Sequence, residues 1–320
     1  MPPPDRPRLN GEYVLPLRWD DDADLAEQTA YLRELAGAID VTVVDGSDAT
    51  AFAAHREAWP FVRHVAPVVP GRNGKARGAM TGIRLSRHEN VVIADDDVRY
   101  DRAGLAAVLD RLERAAFVRL QNVFEPAPWH ARWDTGRSLV NRALGGDFSG
   151  TVALRRSALP ARGYDTDVLF ENLELERTVR AGGGRVDVAS DLYVARRPAD
   201  VRRFWEQRVR QAYDDWAQPT RLLRELALLP AVASLVRARD ARGIAVFAGT
   251  VVALAAVGRA RAGGRAHFRA SDCLWALPWA LERSLTVWIA VLLRLRGGVR
   301  YRDGRIHRAA TPLRTLRRTT

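Results

Sequence analysis

Asp95, Asp96 and Asp97 stand together at the end of NVVIADDD (90–97), directly after four apolar residues. Ligands of open α/β sheets gather at the carboxyl ends of strands. Carboxylates placed there either bind a hard cation or cap and solvate the strand. Asp95 and Asp97 alternate along the chain, so both can be aimed into one crevice. Mg2+ or Mn2+ held by one or two carboxylates plus substrate phosphates is the usual arrangement for nucleotide substrates. Lys75, in GRNGKARG (71–78), is the chain's one lysine beside 49 arginines. A compact ammonium next to flexible glycines can meet phosphate oxygens as a point charge; a surface lysine left by compositional drift is the other reading. Asp45 and Asp48 close VTVVDGSD (41–48), where carboxylates hold a base or ribose edge, or simply form a turn. Glu171 and Glu174, in ENLELERTVRA (171–181), are one helical turn apart and share a face.

These residues need a layered scaffold, and the first half of the chain supplies its pattern. Short apolar runs at 13–19, 41–48, 61–69 and 90–97 alternate with helix-period segments, the mark of an α/β layer fold. Leu25, Leu32 and Leu35 form one helical stripe, and Leu105, Val108, Leu109 and Leu112 another within 103–116. Residues 121–150, with Pro126, Pro128, Trp129, Trp133 and Gly145-Gly146, predict loops over a cleft. TVALRRSAL (151–159) predicts a strand leading into a helix start, and 171–181 a helix stopped by Gly182-Gly183-Gly184. A further helix rich in Arg and Trp is expected over 200–217.

The 320 residues carry a formal charge of +12, but that charge is unevenly placed. From Gly258 to Thr320 there are 14 arginines against Asp272, Glu282 and Asp303, a net of +11, which leaves +1 for residues 1–257. In the same region GIAVFAGTVVALAAVG (243–258) is uncharged and bracketed by Arg242 and Arg259. As a helix it spans ~24 Å against a hydrocarbon core of ~30 Å, short for an upright crossing. The stretch 273–293 is longer but holds Glu282-Arg283 at its middle, a costly pair at bilayer centre, and Pro278 before them. Trp275, Trp279 and Trp288 suit a membrane interface; a buried helical hairpin is the competing reading. The arginines are interleaved with apolar helices and show no stacking-aromatic or zinc-module pattern, which argues against nucleic acid as partner. A single cysteine, Cys273, excludes an intrachain disulfide. The start, MPPPDRPRLNG, shows no apolar h-region. No two of the six histidines share a helical-turn spacing, which argues against a histidine-built metal site.

Taken in order, VLPLRWDDD, VVDGSD, NGKARGAMTGI, IADDDV and LFENLELERTVRAGGG resemble family-2 glycosyltransferases of the GT-A fold, and QRVRQAY (207–213) resembles a degenerate QxxRW. GRARAGG, ALPWALERS and GGVRYRDGRI extend the likeness to membrane-associated bacterial members and, distantly, to ceramide glucosyltransferase. The resemblance implies a GT-A, Rossmann-like mixed sheet over 11–220 and a helical, basic, membrane-associated region over 221–320. It implies an inverting, metal-dependent transfer from an NDP-sugar, UDP- or GDP-linked, to a lipid or glycan acceptor at the cytoplasmic face of the membrane. Asp45 and Asp48 would hold base and ribose, and Lys75 the base or diphosphate. Asp95 would contact the sugar–nucleotide, and Asp97 would be the Mg2+ or Mn2+ ligand. Gln207 and Arg210 would approach the diphosphate or acceptor. Two departures stand out. The acidic pair of the family's helix is Glu171-Asn172 here, so the base position is an amide and either Glu171 or Glu174 must serve, or the acceptor brings its own charge. The tryptophan of QxxRW is Gln211, which argues against a processive channel and leaves Trp205 and Trp216 as core or acceptor platform. A non-catalytic sugar–nucleotide-binding or scaffold protein is the alternative that Asn172 motivates.

Overall fold

The computed structural model describes residues 7–301 and 304–318; most of the Pro-rich start and the Arg302-Asp303 pair lie outside them. Strand β1 (Glu12–Leu17) is followed by α1 (Leu25–Ala38), β2 (Asp40–Asp45), α2 (Ala49–Ala58), β3 (Arg63–Val65), α3 (Gly74–Leu85) and β4 (Asn90–Ala94). Next come β5 (Val98–Arg99), α4 (Arg102–Leu112), β6 (Phe117–Phe124), α5 (Trp129–Ala143), β7 (Thr151–Arg155), α6 (Glu171–Ala181) and β8 (Val186–Arg196). Helices α7 (Val201–Asp214), α8 (Pro219–Leu226), α9 (Leu228–Arg237), α10 (Ala241–Ala260) and α11 (Ala276–Leu295) precede the antiparallel pair β9 (Val299–Tyr301) and β10 (Gly304–Ile306), then α12 (Leu313–Leu316).

Eight strands form one mixed sheet in the order β3-β2-β1-β4-β7-β6-β8-β5. β1 runs parallel to β2 and β4, and β2 to β3, while β7 is antiparallel to both β4 and β6. Because β2 and β4 flank β1 on opposite sides, the winding reverses between β1 and β4. Ligand crevices of α/β sheets open at such a switch point, outside the strands' carboxyl ends. Leu17 pairs with Asp45 there, and Ala94 ends β4 on the same edge.

Alternation along β1 explains the two-sided core. Tyr13, Leu15 and Leu17 pack on one face with Leu32, Leu35 and Leu105, and Val14 packs on the other with Met80, Ile83 and Leu175. Helix α3 lies close to β1 because Gly82 faces Val14, where a Cβ would come within 2.2 Å of the valine side chain. That closeness fixes the height of the helix that starts at Gly74.

The chain divides into two compact units: 1–120, 149–194 and 311–320 in the first, 121–148 and 195–310 in the second. In the second, α10 crosses α5 where Gly258 lies against Leu139, at a distance no side chain allows. Helix α11 turns Arg283 inward, 3.2 Å from Asp215 and 3.4 Å from Glu225. Leu281, Leu285, Trp288, Leu292 and Leu295 on its other side are exposed. Helix α9 buries no side chain, and α10 is apolar yet mostly exposed. Two segments, Ala241–Ala260 and Ala270–Leu295, are long and apolar enough to cross a membrane.

Some expected elements change. β3 keeps three residues of the run 61–69, a short edge strand ahead of Pro67 and Pro70. Residues 129–143 are helix α5 rather than loop, because the face it buries includes Asp134, Thr135, Ser138, Asn141 and Arg142 and leaves no apolar stripe to read. Strands β6 and β8 had no counterpart in the pattern. Lys75 belongs to the first turn of α3 rather than to a loop.

Candidate active site

Asn73 organises the start of α3. Its side-chain oxygen accepts from the Lys75 and Ala76 backbone N–H groups at 3.0 and 3.2 Å, the ordinary work of an N-cap. Its amide nitrogen donates to the Val168 and Leu169 carbonyls at 2.9 and 3.2 Å. One buried asparagine thereby holds α3 against the segment that enters α6. Its sequence signal is an Asn just before a helix start.

Lys75 is the meeting point. Its ammonium lies 2.6 Å from Asp95 after β4 and 2.8 Å from Glu171 at the start of α6. Burial pulls the Lys75 ammonium down, but the two carboxylates outweigh it and hold it above the usual lysine range. Asp96 takes a different part: its carboxylate accepts from the Trp19 indole N–H at 2.6 Å, tying the ends of β1 and β4 together. Asp97, half-buried, follows it. Asp95 and Asp97 are both carboxylates at the switch-point edge, a hard oxygen donor set of the kind Mg2+ and Mn2+ take.

The two glutamates of α6 part company. Glu171 joins Lys75, with Asn73 3.4 Å from its other oxygen. Glu174 is fully buried and accepts from the Thr311 backbone N–H at 2.5 Å, while Arg177 donates to the Thr311 carbonyl at 3.0 Å. Burial pushes the Glu174 carboxyl above its ordinary range, only partly offset by the bond from Thr311. Asn172 is buried, its amide 3.5 Å from the Ser149 carbonyl.

At the end of β2 the side chains have partners of their own. Asp48 is the exposed N-cap of α2, accepting from Thr50 and Ala51 N–H at 2.9 Å each. Asp45 is buried, and its carboxylate lies 2.6 Å from His55 Nδ1, 2.9 Å from His64 Nε2 and 2.9 Å from the Ser47 N–H. Burial pushes the Asp45 carboxyl up, but bonds from His64, Ser47 and His55 outweigh it and bring it down to about 2. The ligand atoms of Asp45, His55 and His64 lie within 4.8 Å of one another, a group able to hold a metal ion. Helical spacing could not show it, because His55 comes from α2 and His64 from β3.

Gln207 and Arg210 lie on α7 in the second unit, with the Arg210 guanidinium 5.2 Å from the Tyr301 ring. The buried arginine of that motif is Arg208, 2.8 Å from Asp134 and 4.2 Å from the Phe204 ring. Trp205 is exposed and packs edge-on against Phe204, whereas Trp216 is half-buried beneath Arg294.

No protein-family model and no curated protein sequence matches the chain. Among solved structures it is similar to a mannosyltransferase from Pyrobaculum calidifontis, solved with GDP-Man and Mn2+. That match has 18% identity, covers 90% of this chain and 87% of that one, and has a TM-score of 0.52. Glucosyl-3-phosphoglycerate synthase from Mycobacterium tuberculosis, with phosphoglyceric acid, matches 61% of this chain and 74% of its own at 18% identity and a TM-score of 0.39. Mannosyl-3-phosphoglycerate synthase from Rubrobacter xylanophilus matches 62% and 70% at 17% identity and a TM-score of 0.40. The likeness to the mannosyltransferase is one of fold, and it shows that this chain has the GT-A, Rossmann-like mixed sheet with helices following it.

Proposed function

We propose that the protein is an inverting, metal-dependent glycosyltransferase that moves a sugar from an NDP-sugar to a lipid or membrane-proximal acceptor. One observation carries this reading: Lys75 held between Asp95 and Glu171 at the switch-point end of β4. A fold likeness to a mannosyltransferase solved with GDP-Man and Mn2+ supports the donor class and the metal. Asp97 and Asp95 would hold the Mg2+ or Mn2+, which when bound supplies charge stabilisation for a leaving diphosphate. Lys75 turns from its carboxylates toward the diphosphate oxygens. Asp48 borders the base and ribose, while Asp45 acts from beneath, its own bonds already made to His55, His64 and Ser47. Glu171 receives the acceptor hydroxyl's proton as that oxygen attacks the anomeric carbon in line. Glu174, locked to Thr311, positions α6 and takes no proton. Gln207 and Arg210 carry their assignment to the diphosphate or acceptor from the resemblance alone.

The acceptor side rests on the second unit. An exposed apolar face on α11, an unburied α9 and an exposed, apolar α10 fit the cytoplasmic side of a lipid surface, with Arg237, Arg242, Arg265 and Arg269 exposed near the helix ends. Asn172 at the usual base position favours one competing reading, a protein that binds the donor without turning it over. Purified protein incubated with UDP- and GDP-sugars, Mn2+ and lipid acceptors separates the two. Transfer or donor hydrolysis that vanishes in Asp97→Ala is expected; binding with no turnover on any acceptor supports the non-catalytic reading instead.

A further inference from the structure

We propose that Asp45, His55 and His64 form a second cation site, for Zn2+, on the β2–α2–β3 side of the first unit. The three ligand atoms lie close together, Asp45 Oδ2 2.6 Å from His55 Nδ1 and 2.9 Å from His64 Nε2, hydrogen-bond spacings that open to roughly 3.3 Å around a tetrahedral ion. Two imidazole nitrogens and one carboxylate oxygen are a borderline donor set that suits Zn2+. The all-oxygen pair Asp95 and Asp97 suits Mg2+ or Mn2+, so the two sites differ in kind.

Two further features fit a ligand role. The other nitrogen of His55, Nε2, lies 2.9 Å from Asp22. A carboxylate behind a histidine ligand fixes its ring and tautomer and raises its basicity. Aromatic walls hold both rings: Trp59 stacks on His55 at 4.7 Å between centroids, and Phe52 lies 4.4 Å from His64.

Binding balances in protons. The ion replaces the proton that His55 Nδ1 directs at Asp45, which leaves, and the proton that His64 Nε2 directs at Asp45, which passes to His64 Nδ1 so that the ring stays a neutral ligand; about one proton leaves per ion. His55 keeps its Nε2 proton on Asp22. The filled site clamps β2, α2 and the three-residue edge strand β3 into one body beside the crevice. This inference does not depend on the transferase reading.

The test uses the full chain, stripped with chelator and titrated with Zn2+, and with Co2+ as a coloured probe. Expected are one ion held at this site, a tetrahedral Co2+ absorption band, release of about one proton and a higher unfolding temperature. Asp97→Ala keeps all four. His64→Gln loses the band, and Asp22→Asn weakens binding by about 10–100-fold. A wild type that shows neither band nor proton release overturns the proposal. So does a band of unchanged affinity in His64→Gln or, should that variant fail to fold, in the half-exposed Asp22→Asn.

Discussion

Lys75 in the first unit sits between Asp95 and Glu171 with 21% of its side chain open to solvent, whereas Arg283 in the second lies between Asp215 and Glu225 with none. Each cation bridges two carboxylates, and in the second cluster Arg221 joins Arg283, 2.8 Å from Asp215 and 3.1 Å from Glu225. An open cluster can exchange its partners for those of a ligand, because water and anions reach it. A closed one cannot: its ions were desolvated on folding, and removing one partner strands the other. In the closed cluster burial drives the Asp215 carboxyl well above its ordinary range, with Glu225 close beside it, despite Arg221 and Arg283. The difference suits the first cluster to a ligand and the second to architecture, and it explains how a helix as apolar as α11 carries Arg283 at its middle.

Variants can break or sharpen that contrast. The largest expected effect on activity is Asp97→Ala, which should cut NDP-sugar turnover about a thousandfold while leaving the denaturant midpoint unchanged. Its counterpart is Arg283→Leu, expected to leave the buried Asp215 and Glu225 with Arg221 but without Arg283, and to lower unfolding free energy by ~3–5 kcal/mol in urea melts. Equal losses of stability in both variants would erase the distinction. Lys75→Ala should lower kcat/KM by about 10–100-fold, mainly through KM for the donor, as expected for a lost charge-assisted bond of ~1.5–3 kcal/mol. On the exposed face of α11, Leu285→Asp should weaken binding to anionic vesicles about tenfold, the worth of one leucine side chain, without changing soluble donor hydrolysis. The smallest effect concerns Glu174. A carboxyl whose folded pKa is raised favours folding below its unfolded pKa and loses that benefit as pH rises through the folded value. Glu174→Gln keeps an acceptor for Thr311 and removes the charge, so at pH 7 it should melt ~1–3 °C higher, with the gain vanishing near pH 4.

Much of this was legible in the residues. Buried parallel strands announce themselves as continuous apolar runs, and β4 with its three aspartates did so. Helix α6 was bounded correctly because three glycines stop it. Helix α5 was missed because its buried face carries charged and amide groups, so period 3.6 held no apolar stripe. The union of Lys75, Asp95 and Glu171 could not be read from spacing, since it depends on Asn73 bridging two segments nearly a hundred positions apart. The same holds for His64, which the β2–β3 pairing brings to Asp45, and for His55, which α2 brings there. Local pattern reports which face is buried; it does not report which polar groups a fold brings together.

The central claim is that the open cluster serves a nucleotide sugar together with a hard cation. Isothermal titration of the purified chain with UDP- and GDP-sugars, with and without Mn2+, tests it most directly. Expected is saturable binding of one donor that strengthens with Mn2+, loses that dependence in Asp97→Ala and weakens in Lys75→Ala. Binding of no donor in either condition, or binding indifferent to both Mn2+ and Asp97, would contradict it.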